Sequence, residues 1–176
     1  LFATLSDEVE PLEARGVIAY SGTSNTLEEA PRIIGGKPGV PFARTFIVAV
    51  LGHREKDSFE HFCGGSLIAP RVVLTAAHCM VKDNGNTKKA KEVMAGVHMY
   101  DLEDKTEHEC RAEIEVKTIH VHPQWDPQSV THDVALLILA RDPLCIGGST
   151  KLIKIDSASS NQKDKWKGEA VRVAGW

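Results

Sequence analysis

The longest uninterrupted apolar run in this sequence is Val134–Ala140, seven residues. That length suits one buried strand and falls far short of the roughly 18–20 apolar residues that a membrane-spanning helix needs. The other apolar runs are as short and rich in β-branched residues. They are "TFIVAVL" (45–51), "EVMAGV" (92–97) and the two halves of "GGSLIAPRVVLTAAHC" (64–79), which read as strands meeting at Pro70. A proline suits a turn or a sheet edge and not a central strand. "RAEIEVKTIHV" (111–121) alternates with Ile114 and Val116 on one face, then changes face at Thr118–Ile119, as a bulge would cause. "KDNGNTKKAK" (82–91) and "HPQWDPQSV" (122–130) read as polar and Pro-rich loops, "DVALLILA" (133–140) as a fully buried strand, and "GEAVRVAGW" (168–176) as the start of another. No segment has a convincing helical period and no repeat is present. Many short strands with Gly/Pro turns define an all-β barrel or sandwich.

Composition narrows the class. Net charge is −3, which argues against non-specific nucleic-acid binding, and only 6% of residues are aromatic, so the core rests on Val, Ile, Leu and Ala. Residues 1–32 hold six acids and two arginines, a net of −4, which leaves 33–176 at +1. The leader is poor in large apolar residues and reads as poorly ordered on its own. It begins with Leu, as expected of a processed or incomplete chain.

Four cysteines occur: Cys63, Cys79, Cys110 and Cys145. No CxxC is present, which disfavours a zinc ribbon. An even number suits two disulfides and an oxidising compartment, with three pairings open. The strand pattern speaks to one pair. If 111–117 and 138–144 are antiparallel neighbours, facing residues have numbers summing to 255, and Cys110 and Cys145 satisfy that sum. Two free thiols, or partners elsewhere, are the alternatives.

"RIIGG" (32–36), "FCGGSLIAPRVVLTAAHC" (62–79) and "HDVALLIL" (132–139) follow one another in an order and spacing that resemble a trypsin-like, chymotrypsin-fold serine protease. The resemblance spans 33–176. It implies a Greek-key β-barrel fold, with the first barrel complete and the second only begun, and 1–32 as the activation segment. It makes His78 the general base and Asp133 its orienting carboxylate, 55 residues downstream. The chemistry explains the residue types. A serine hydroxyl becomes a competent nucleophile only when an imidazole can take its proton. A carboxylate on the other ring nitrogen fixes the tautomer and stabilises the imidazolium. The resemblance also implies a Cys63–Cys79 disulfide clamping the turn that bears His78. It implies cleavage after Arg32, by an Arg-specific protease, to free the Ile33 amino group. The partners implied are protein or peptide substrates, with no nucleic acid, membrane or cofactor, and the location is secreted, extracellular.

No "GDSGG"-type loop occurs, and no serine of this sequence can be assigned as nucleophile. The leading function is therefore a serine endopeptidase zymogen, seen through its N-terminal portion and inactive alone. The alternative is a non-catalytic homologue acting as a decoy or regulatory protein. No metal site is expected. His120 and His122 read as an ordinary surface turn, and "DLEDKTEHE" (101–109), where some family members hold calcium, reads as a solvated loop.

Overall fold

The computed structural model describes residues 18–19, 37–55, 58–156, 167–168, 170 and 172–176. Six strands form a closed, wholly antiparallel barrel: β1 (Ile47–Glu55), β2 (Ser58–Ala69), β3 (Val72–Thr75), β4 (Val93–Val97), β5 (Ala112–Val121) and β6 (Ala135–Leu139). Their order is β1-β2-β3-β6-β5-β4, with β4 pairing back to β1. Closure removes the exposed edges that would otherwise recruit another chain. Ahead of the barrel, Ile18–Ala19 and Lys37–Pro38 form a two-residue parallel pair.

Period-two burial builds the core. Val48, Val50, Leu67, Val73, Val93, Ala95, Val97, Ile114, Leu137 and Leu139 meet inside the barrel, all nearly inaccessible. In β5 the buried residues are Ala112, Ile114 and Val116 before the register shift at Val116/Thr118; after it, Ile119 and Val121 turn inward. One extra residue reverses the face, as the sequence pattern anticipates. Before that bulge Val116 faces Leu139, a pair summing to 255. Cys110 and Cys145 share that sum and are bonded, with Cα atoms 5.7 Å apart, although the expected strand over 138–144 ends at Leu139 and the two cysteines lie beyond the ladder.

Three readings change. Strand β6 starts at Ala135 and is not buried on both faces: Ala135, Leu137 and Leu139 face the core, while Leu136 and Ile138 are half-buried. A barrel strand packs its inner face, and its outer face is covered only where loops lie on it. The described residues of 168–176 form no strand, since no neighbouring strand offers them a ladder. A single helical turn, Ala77–Met80, follows β3 and is too short to show a period. Beyond the barrel, 140–156 adds no strand and packs as coil along its side: Thr45 Oγ1 donates to the Ser149 carbonyl at 2.7 Å, and the Ile153 amide donates to the Leu67 carbonyl at 3.0 Å.

Candidate active site

His78 sits in the helical turn at the end of β3. Three local features hold that turn. Thr75, fully buried, donates its hydroxyl to the Gly64 carbonyl at 2.8 Å. Cys79 is bonded to Cys63 on β2, with Cα atoms 6.3 Å apart. Ala77 and Met80 are buried in the barrel, while His78 between them faces out. The disulfide closes a 16-residue separation, for which loop-entropy models give about 3 kcal/mol.

Asp133 arrives 55 residues further along the chain, from the loop entering β6. That loop is braced on both sides of it. The His122 amide donates to the Val134 carbonyl at 2.9 Å, and Asp126 anchors the far end by accepting from the Gln128 amide at 2.9 Å and the Ser129 hydroxyl. Val130 and His132 adopt left-handed backbone angles, φ 52° and 56°. Non-glycine residues hold such angles only where surrounding contacts over-determine them, a pattern common at functional sites. The rings of His132 and His122 stack, with centroids 4.8 Å apart and planes 12° from parallel.

The two residues meet through two hydrogen bonds. The His78 amide donates to Asp133 Oδ1 at 2.8 Å, and His78 Nδ1 lies 2.7 Å from Oδ2. Burial raises the Asp133 pKa. The bonds from the His78 ring and the His78 amide outweigh it, with a smaller contribution from the nearby Ala77 amide, and hold the carboxyl below its ordinary range. An ionised carboxylate can only accept, so the proton at this contact belongs to Nδ1. Nε2 then carries a lone pair. The ring is 60% exposed against 23% for Asp133, so the carboxylate is sheltered while the imidazole is open to a partner. Beside it lies a cleft of about 370 Å³ that includes His61, the disulfide, Arg172 and Trp176. Trp176 is held there by its indole N–H on the Tyr100 carbonyl at 2.9 Å.

The loop 101–109 is solvent-exposed at Glu103, Asp104, Lys105, Thr106 and Glu109, as its sequence suggests, but Glu107 is enclosed by Arg111 just beyond it. Glu107 and Arg111 pair at 2.6 Å with side chains only 7% and 6% exposed. The guanidinium also donates to the carbonyls of Asp101 and Leu102, and Glu107 accepts from the amides of Tyr100 and Asp101. Two carbonyls and a carboxylate make a cation cage, and Arg111 fills it. The i, i+4 opposite charges were the available signal, but such spacing does not reveal burial in a loop.

Three clusters of ligand-type side chains occur among the described residues: Cys63 with His78 and Cys79, His98 with His108 and Cys110, and Glu109 with Cys110 and Cys145. Every cysteine in them is disulfide-bonded. Metal ligation needs a thiolate, so each cluster offers two donors at most. Arg32 and Ile33 lie outside the described residues.

The family model for trypsin matches residues 33–176. Chymotrypsin-C of Mus musculus is 37% identical over 109 residues, covering 62% of this chain and 37% of that protein. Trypsin of Simulium vittatum is 34% identical over 145 residues, 82% of this chain and 53% of that protein. Chymotrypsin-like elastase family member 3A of Homo sapiens is 31% identical over 147 residues, 82% and 50%. The chain belongs to the trypsin family of serine proteases. It spans about half or less of the length of these relatives.

Proposed function

We propose that this chain supplies the base and its orienting acid to a secreted serine endopeptidase, with the domain beginning at Ile33 and 1–32 as its activation segment. The observation that carries this is the two-point grip of Asp133 on His78, through the ring and the backbone amide of the same residue. A carboxylate merely satisfying a strand start would need the amides alone. Here one oxygen fixes the main chain and the other fixes the tautomer, leaving Nε2 as a base over a cleft.

In the reaction, Nε2 takes the proton of a serine hydroxyl supplied from beyond this segment as the serine oxygen attacks the peptide carbonyl. The imidazolium then gives that proton to the leaving amine, and a water repeats the cycle on the acyl-enzyme. Asp133 stays ionised throughout and stabilises the imidazolium. Cys63–Cys79 keeps the base in place. The two disulfides suit an oxidising, extracellular setting. Cleavage after Arg32 by an Arg-specific protease frees the Ile33 ammonium, which needs a buried partner and so can act as a switch.

The test is activation of the complete protease. Limited digestion with an Arg-specific protease is expected to give a new N-terminus at Ile33 and hydrolysis of an unfolded protein substrate, and His78→Ala is expected to abolish that hydrolysis. Activation that leaves no hydrolysis, with Ile33 exposed, would instead support a decoy or regulatory role.

A further inference from the structure

His98 directly follows β4 and is 1% exposed. Its Nδ1 lies 3.2 Å from Thr150 Oγ1, and that hydroxyl donates its one proton to the Leu144 carbonyl at 2.8 Å. Toward His98 the hydroxyl can therefore only accept, so Nδ1 carries the ring proton. A second ring proton would put an unpaired charge in the interior. Nε2 is thus a bare lone pair, and it is buried with no hydrogen-bond partner. Phe42 stacks on the ring, with centroids 5.2 Å apart, and the His108 ring lies 4.2 Å away. Buried polar atoms are nearly always satisfied, so an orphan of this kind needs a reason.

The orphan stands beside a disulfide. One nitrogen of His98, one of His108 and Cys110 Sγ lie within 4.8 Å of one another, and Cys110 is bonded to Cys145. His108 spends its Nδ1 lone pair on the Cys110 amide, at 3.0 Å. Two imidazoles and two sulfurs are the donor set of a tetrahedral zinc site. A ligating imidazole donates its other N–H to a fixed oxygen, which sets the tautomer and the ring orientation. Thr150 already supplies that oxygen to His98. Only the S–S bond withholds the set, because a metal takes thiolates. None of the four residues belongs to the cleft of His78.

We propose that the Cys110–Cys145 disulfide masks a site for a zinc-type divalent cation, formed on reduction by His98 Nε2, His108 and the two thiolates. The reductant is a dithiol. Its first sulfur breaks the S–S bond to give a mixed disulfide, and its second displaces the remaining cysteine. The dithiol leaves as a cyclic disulfide, and the protein gains two thiols. The cation then displaces the two thiol protons. His108 releases the Cys110 amide and turns its lone pair to the metal. The ion holds Cys110 and Cys145 together, as the disulfide did, and adds His98 to the tie.

The test adds cobalt(II), a spectroscopic stand-in for zinc, to the chain with and without a phosphine, which takes up an oxygen of water as it reduces the S–S bonds. The reduced chain is expected to show thiolate-to-cobalt charge transfer and tetrahedral cobalt bands, both removed by excess zinc. The oxidised chain is expected to show neither. Thr150→Val removes the acceptor of Nδ1 while keeping the side chain's shape, and is expected to weaken cobalt binding about 10–100-fold. His98→Phe is expected to abolish the tetrahedral bands, and His78→Ala to leave them. A reduced chain without these bands would overturn the proposal. So would an affinity indifferent to both His98→Phe and Thr150→Val, the result expected if reduction unfolds the chain and the metal merely gathers loose thiols. Bands lost in His78→Ala but kept in His98→Phe would place the metal beside Cys63 and Cys79 and overturn it as well.

Discussion

Asp133→Asn is expected to lower kcat of the active protease by about 10⁴-fold with little change in KM. Asp133 offers one oxygen to the ring of His78 and the other to its backbone amide. An asparagine has one acceptor oxygen. If that oxygen keeps the His78 backbone amide, the side-chain NH₂ faces Nδ1, which must then become the acceptor. The proton moves to Nε2, and the base is lost with the ring still in place. Steady-state kinetics of the variant checks this. A loss confined to KM would show that Asp133 shapes the binding surface and not the tautomer.

The same substitution has a stability signature. The folded carboxyl sits below its ordinary range, so on acidification the unfolded chain takes up the proton first. The contribution of Asp133 is therefore complete above the unfolded-state pKa and disappears as pH falls through the folded one. Urea midpoints of the unaltered chain and Asp133→Asn are expected to differ at neutral pH and to converge in acid.

The second large effect is at Arg111. Arg111→Met is expected to cost about 3–5 kcal/mol, the range for breaking a buried ion pair from one side. In a domain of this size that lowers Tm by roughly 10 °C. The guanidinium is the common partner of Glu107, the Asp101 carbonyl and the Leu102 carbonyl. A methionine fills its volume and satisfies none of them. Glu107→Met/Arg111→Met is expected to be far less damaging than the two single changes added together, because both act on one network. Calcium at millimolar concentration is expected to leave the Tm of the unaltered chain unchanged, since its cage already holds a cation. Scanning calorimetry reads all three. A neutral Arg111→Met would mean that the loop is held by something else.

Much of the barrel was legible before any coordinates, for a physical reason. Alternation of apolar side chains reports the inner face directly, and in β5 it reported even the bulge between Val116 and Thr118. Because antiparallel register is a fixed sum of residue numbers, two strand assignments also led to Cys110 and Cys145. Three things escaped. The half-exposed outer face of β6 depends on loops that pass elsewhere. The four-residue turn carrying His78 is shorter than any helical period. The enclosure of Glu107 and Arg111 depends on the path of a loop, and charged residues in a loop look alike in sequence whether wet or buried. The contact of His78 with Asp133 is a separate case: no periodicity connects positions 55 apart, and only the family resemblance suggested it.

Whether Asp133 holds the proton of His78 on Nδ1 is read by proton NMR of the 15N-histidine-labelled chain. A far-downfield proton resonance bonded to Nδ1 of His78 is expected, absent in Asp133→Asn, with Nε2 unprotonated in the neutral ring. A neutral ring protonated on Nε2, unaffected by Asp133→Asn, would contradict it.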